Sequence, residues 1–289
     1  IFHNDEAGDA FVEALARAHA RGVQVRVLVD AVGARYRPAG VLKRLRAQGI
    51  GCALFLRPAI TRLLSHINLR NHRKILVVDG VVGFTGGMNI SANHWLGRHP
   101  VAPAHCLHFE VRGPVVSDMQ RTFATDWAFT TRERLQGAPW FAPPVSSGAV
   151  LARGVTDGPD ADIGHMRQVI LGALAAARQR VCIVTPYFLP DEVVLSTLQT
   201  TALRGVEVDI VLPVRSNLPL LDWAMRPQCD ELLAAGCRIH LSPLPFDHGK
   251  LFLVDRAWAL IGSTNWDARS LRLNFEYNLE CYDAGLAGL

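Results

Sequence analysis

The sequence predicts an α/β fold made from two copies of one unit, and three observations predict it. First, a string of spaced polar residues occurs twice. His72-Arg73-Lys74, then Asp79, Gly86-Gly87 and Asn89, is matched by His248-Gly249-Lys250, then Asp255, Gly262-Ser263 and Asn265. Each member of the second set lies 176 residues after its counterpart, and such constant spacing marks an internal repeat. Second, helical and strand periodicities alternate in the same order in both halves, as α/β layers do. Third, flanking stretches match: Arg21-Gly22-Val23-Gln24-Val25 parallels Arg204-Gly205-Val206-Glu207-Val208, and Phe109-Glu110 parallels Phe275-Glu276.

In order, Phe11, Leu15 and Ala18 give a helix to Ala20, which Gly22 ends before the alternating strand Val23 to Val29. A helix over 41–48 stops at Gly49, and a strand runs over 52–56. Inside the first motif, Val77-Val78-Asp79-Gly80-Val81-Val82 is a hairpin signal, because Asp-Gly supplies the turn between β-branched runs. A strand over 108–112 and an amphipathic helix over 115–127 close the first unit. Residues 136–159 are rich in Gly, Pro and Ser without a period and read as a linker. The second unit repeats the scheme: helix 163–178, strand 181–185, helix 192–204, strand 206–212, a helix stopped by Gly236, strand 237–241, the second motif and strand 277–282. The expected domains are residues 1–135, the linker 136–159, and residues 160–289. Nothing in the first half corresponds to the helix and strand over 163–185. The expectation is that the chain, which starts at Ile1, is a piece lacking that part of its first repeat.

Composition narrows the function. The net charge of +4 is modest for a dedicated nucleic-acid binder. Of 30 basic residues only Lys43, Lys74 and Lys250 are lysines, and two of these hold matched places in the repeats. A compact ammonium kept there points to a charge on a small anion. The cysteines at 52, 106, 182, 229, 237 and 281 form no Cys-x-x-Cys pair and read as free buried thiols. No run reaches the roughly 18 apolar residues of a membrane span, and no signal peptide is visible.

Alternate strand residues share a face, so His72 points with Lys74 and His248 with Lys250. Gly86, Gly87, Gly262 and Ser263 are small and admit close backbone approach. Asn89 and Asn265 add neutral donors. If the units meet about a pseudo-twofold axis, one site gathers two histidines, two lysines and two asparagines, a set suited to phosphoryl transfer. Lysines and asparagines would hold the non-bridging oxygens. One imidazole would attack phosphorus and the other protonate the leaving oxygen. Glu110 and Glu276 are candidate orienting carboxylates, or strand-edge surface charges. Asp79 and Asp255 are general bases or structural turn residues, the second reading being favoured. His94, His99, His105 and His108 lack metal-ligand spacing and read as solvated loop histidines, in an insertion expected to decorate the site entrance.

These residues resemble the twin signature of the phospholipase D superfamily. Asn71-His72-Arg73-Lys74, Gly113-Pro114-Val115-Val116, Thr185-Pro186-Tyr187-Phe188-Leu189-Pro190 and Arg269-Ser270-Leu271-Arg272-Leu273-Asn274-Phe275-Glu276 look like the bacterial cardiolipin synthase branch. The resemblance implies two pseudo-symmetric α/β/α sandwich repeats with the active site between them. It implies that His72, Lys74, Asp79, His248, Lys250 and Asp255 are catalytic, that a phosphohistidine forms, with His72 favoured as nucleophile, and that no cofactor or metal is used. The expected reaction is transfer of a phosphatidyl group onto phosphatidylglycerol. The alternative is a phosphodiesterase or nuclease using the same chemistry. Phospholipids and a membrane surface are the expected partners, and no specific nucleic acid. The expected location is the bacterial inner membrane, peripherally or through a segment outside this chain. Pro139-Trp140-Phe141 and Leu218-Pro219-Leu220-Leu221-Asp222-Trp223 read as either lipid-facing rims or packing. Glycine at 249 departs from the small side chain usual there.

Overall fold

A computed structural model describes residues 1–31, 40–56 and 69–288. The first half holds α1 (Glu6–Ala20), β1 (Arg26–Asp30), α2 (Gly40–Ala47), β2 (Gly51–Phe55), β3 (Arg70–Asn71), β4 (Ile75–Val78), β5 (Val82–Gly86), β6 (Ala104–His105), β7 (His108–Arg112) and α3 (Val116–Thr131). After it come β8 (Leu151–Asp157), α4 (His165–Ala176), β9 (Arg180–Val184), β10 (Phe188–Leu189), α5 (Glu192–Leu203), β11 (Glu207–Pro213), α6 (Pro219–Ala234) and β12 (Arg238–Ser242). The chain ends with β13 (Phe246–Asp247), β14 (Leu251–Val254), β15 (Trp258–Gly262), β16 (Trp266–Asp267), β17 (Asn274–Tyr282) and α7 (Ala284–Ala287).

Local chemistry sets the ends. α1 starts five residues before the Phe11 expected from periodicity, because the Asp5 carboxylate accepts the Gly8 N–H and caps it. Gly22, at φ +90°, turns the chain out of that helix. β1 begins at Arg26 rather than Val23, three residues into the alternating run. The expected hairpin forms: Asp79 (φ 53°) and Gly80 (φ 66°) take the left-handed turn and Val78 pairs with Val82. The second repeat builds the same turn with Asp255 (φ 52°) and Arg256 (φ 53°). Residues 136–159 are not all irregular, since β8 lies there and pairs antiparallel with β17 from Asp157 to Leu151.

The main sheet runs β12-β11-β9-β14-β15-β17-β3, with β8 also on β17. Its strands alternate strictly. Phe252, Val254, Trp258 and Leu260 face one core, under α4 and α5. Leu251, Leu253, Ala259 and Ile261 face a second core, shared with Val115, Met119, Ile75, Val77, Phe109 and Val111 of the first half. β17 is buried from Asn274 through Cys281, as expected of a strand covered on both faces. The first half forms two smaller sheets, β1-β2 and β4-β5-β7. In the second half β9 joins the corresponding pieces, pairing with both β11 and β14. No counterpart of β9 lies among the described residues. Leu76 and Val78, the counterparts of buried Phe252 and Val254, are accordingly exposed. Among the described residues no helix is long and apolar enough to cross a membrane.

Candidate active site

Each motif is clasped by the other repeat. β3 pairs in parallel with the start of β17, and the His72 N–H donates to Phe275 O at 2.8 Å. β13 pairs in parallel with β6, and the His248 N–H donates to His105 O at 2.7 Å. The two histidines thus enter one centre by the same backbone device, from opposite sides. The lysines repeat the symmetry. Lys74 Nζ donates to His72 O and Lys250 Nζ to His248 O, both at 2.8 Å. A Cβ added at Gly87 of the first motif would meet His248 O at 3.0 Å and Lys250 Cδ at 3.2 Å. The two motifs are therefore in contact, and this glycine is required by close approach.

His72 Nδ1 lies 2.9 Å from both carboxylate oxygens of Glu276, which is fully buried. Ser263 Oγ donates to Glu276 Oε2, and Asn274 Nδ2 to Oε1 at 3.0 Å. Arg73, between His72 and Lys74, fixes the segment by donating to Asp126 (2.6 Å) and to Glu276 O (3.0 Å). Asn71 Nδ2 also donates to Asp126, at 2.9 Å. His248 sits differently. Lys250 Nζ is 3.2 Å from its Nδ1. The rings of His94, Tyr187 and Phe246 lie 5.6, 6.2 and 6.0 Å away. Asn265 Nδ2 donates to Ser270 Oγ at 3.3 Å, while its Oδ1 is buried with no hydrogen-bond partner among the described residues. Asn89 Oδ1 accepts the Ile1 amino group at 3.2 Å.

The site is electropositive and largely buried. Burial first, then Lys74 and Lys250, holds the His72 imidazolium well below the ordinary histidine range. Burial, Lys250 and Lys74 do the same to His248, with His94 and His72 adding to it. Burial brings Lys74 down to about 8 and Lys250 to about 7, and pushes Glu276 up to about 7. Two lysines and two histidines gather here around one carboxylate, that of Glu276, and a bound phosphodiester would relieve the crowding of positive groups.

Three expected site residues lie elsewhere. Glu110 is exposed and paired with Arg112 at 2.8 Å. Its match to Glu276 is out of register. Phe84 pairs with Glu110 and Leu260 with Glu280, so the counterpart of Glu110 is Glu280. Asp255 sits at the far end of β14 from Lys250, about 16 Å along an extended chain. Its carboxylate accepts the N–H groups of Arg178, Gln179 and Arg180 at 2.8–2.9 Å. Asp79 occupies the equivalent turn. Both aspartates are turn residues, not bases at the motif centre. Gly86 (φ +150°) and Gly262 (φ +157°) lie against the neighbouring strand, where a Cβ would meet Leu107 O or Tyr277 O at 2.5 Å. Two of the four histidines taken for solvated ones are not: burial takes His94 and His108 down to about 4. Residues missed from the sequence are Cys106, Asn274, Ser270, Arg73, Asp126 and Tyr187. Arg73, Tyr187, Ser270 and Asn274 lie within the stretches that carry the family resemblance but receive no role from it, while Cys106 and Asp126 carry no signal in the sequence. Trp140 is packing: it joins Ala53, Trp127 and Leu135 and stacks under Arg26. Leu220 and Trp223, 82% and 71% exposed, are not.

Fold and site together define a class: α/β proteins whose two related repeats share one electropositive centre with a histidine and a lysine from each. Comparison with known proteins agrees. A family model described as cardiolipin synthase, PLD-like domain, matches residues 2–127 and 170–288, and the chain belongs to this phospholipase D-like family. It is 38% identical over 289 residues to cardiolipin synthase A of Pseudomonas putida strain F1, covering 99% of this chain and 60% of that protein. It is 35% identical over 285 residues to a cardiolipin synthase of Geobacillus kaustophilus, covering 98% and 57%. The chain thus spans about three fifths of the length of these relatives. Among solved structures, phosphatidylserine synthase of Haemophilus influenzae superposes with a TM-score of 0.75 at 16% identity, covering 98% of this chain and 75% of that one. At that identity the likeness speaks for the fold.

Proposed function

We propose that the chain carries the catalytic unit of a phosphatidyl transferase of cardiolipin synthase type, built from two repeats, 1–135 and 160–289, with 136–159 between them. The observation that carries this reading is the meeting of both motifs in one buried cationic cluster, with Glu276 on the ring of His72. In the proposed reaction His72 Nε2 attacks the phosphorus of a phospholipid diester. The bond from phosphorus to the headgroup oxygen breaks, and His248, protonated once the negative diester is bound beside it and raises its pKa, gives that oxygen a proton. Lys74, Lys250, Asn89 and Asn265 hold the non-bridging oxygens. Glu276 offsets the positive charge that a phosphorylated imidazole carries. A phosphatidylglycerol hydroxyl then gives its proton to His248 and attacks phosphorus, the P–N bond breaks, and diphosphatidylglycerol leaves. Burial of Lys74, His248 and Lys250 limits the water that can compete with the acceptor hydroxyl, in favour of transfer over hydrolysis. Exposed Leu218, Leu220 and Trp223, at the start of α6, are the surface offered to a lipid bilayer, and the bacterial inner membrane is the proposed location.

Incubation with phosphatidylglycerol labelled in its headgroup tests the reading. The expected products are labelled diphosphatidylglycerol and free glycerol. Phosphatidic acid alone, or cleavage of DNA without a lipid product, would replace the transferase by a hydrolase or nuclease.

A further inference from the structure

The pseudo-twofold axis pairs each motif histidine with a residue from the opposite repeat, and the two residues differ. Gly87 N donates to Leu107 O, and Ser263 N donates to Tyr277 O in the same position. Phe246 and Asp247 pair with Ala104 and His105, as Arg70 and Asn71 pair with Asn274 and Phe275. The residue that follows is Cys106 in one case and Glu276 in the other. Glu276 meets His72 Nδ1. Cys106 Sγ lies 3.6 Å from His248 Nδ1, and its S–H donates to His248 O at 3.1 Å. The surroundings are matched to each. Ser263 supplies the hydroxyl that holds the carboxylate. At the same place Gly87 leaves the room the sulfur needs, since a Cβ there would come within 2.8 Å of Cys106 Sγ.

We infer that Cys106 is the positioning residue of His248, standing where symmetry puts Glu276 on His72, so that the two imidazoles work against unlike partners. A carboxylate stabilises the cationic ring it touches, whereas a neutral thiol whose S–H is given to His248 O meets the ring only through its sulfur, as a weak acceptor for Nδ1–H, and aligns it while adding no charge. His72 is thereby suited to carry a phosphorus substituent and His248 to give up and regain a proton. Having one carboxylate rather than two also keeps the centre more positive for the phosphodiester. The groups facing His248 are Lys250 beside it, Lys74 and His72 of the first motif, His94 of the turn at Ala92–His94, Cys106 and Tyr187. Among the neighbours of its ring nitrogens, Cys106 is the one whose replacement by a carboxylate restores the twofold.

The inference rests on the proposed proton exchange at His248, so its test reads the histidine directly. Nitrogen-15 NMR titration of the histidines is run on the full chain, beside pH profiles of turnover, for Cys106→Asp, Cys106→Ala and Cys106→Ser. In Cys106→Asp the His248 titration and the basic limb of the kcat profile move up together by about one pH unit or more, and inhibition by inorganic phosphate weakens. In Cys106→Ala kcat falls about tenfold with KM little changed, through lost orientation, and Cys106→Ser restores most of it. An unmoved His248 titration in a folded Cys106→Asp protein overturns the assignment. So does a Cys106→Ala loss that tracks thermal stability and that serine fails to restore. Absence of phosphatidyl transfer with the titration shift intact would count against the proposed function and leave the role of Cys106 standing.

Discussion

Glu276, proposed to act on the ring of His72, carries a cost to stability. Its folded pKa is raised to about 7 from an ordinary 4.5, burial being the cause. The unfolded chain loses that proton first as pH rises. The destabilisation is therefore absent below about pH 4.5 and complete above about 7. Glu276→Gln is expected to raise Tm by a few degrees at pH 8, with the gain vanishing near pH 5, while turnover drops by about 10²-fold or more. A thermal melt and a rate at each pH decide it; equal loss of stability and activity would make Glu276 merely structural. His72, Lys74, His248 and Lys250 were legible in the sequence because their spacing repeats. Cys106 was not, because the insertion after Asn89 breaks the offset of 176 between the repeats. Matching Phe109-Glu110 to Phe275-Glu276 by letters alone then slips four residues, and only the strand pairing corrects it.

Among the elements, the β14–β15 hairpin separates structure from chemistry. Lys250 precedes β14, and Asp255 follows it and ties the turn to the backbone leading into β9. Asp255→Ala removes three accepted N–H bonds, worth about 2 kcal/mol in sum for a partly exposed carboxylate. The expected result is a Tm lower by about 5 °C, with kcat within a few-fold below the melt; a rate at 25 °C beside a calorimetric scan checks both. A collapse of kcat in a stable variant would return Asp255 to the catalytic set. Helices α2 and α5 and strand β7 lie within a residue of where periodicity puts them, because Gly49, Asp191, Gly205 and Gly113 at their ends leave little choice of boundary. Strand β8 was hidden. It pairs with β17 along its length and alternates in burial, but its more exposed positions start with Leu151 and its more buried ones include Gly154 and Asp157, so the residue types do not show the alternation. Tertiary pairing, not local propensity, makes it a strand.

At the scale of the molecule, two repeats bury their motifs against each other, and neither motif centre is complete alone: each histidine takes its backbone anchor and one neighbour of its ring Nδ1 from the opposite repeat. The twofold itself was legible in the sequence; the exchange of partners across it was not, since it depends on β3 joining β17 and β13 joining β6. The same exchange makes one covalent event per chain the central expectation. Mass spectrometry of protein quenched in denaturant during turnover of phosphatidylglycerol measures it. One phosphatidyl adduct per chain, on the peptide holding His72 and absent from His72→Ala, is the predicted result. Two adducts per chain, or turnover with no modified histidine, would contradict a single centre shared by both motifs.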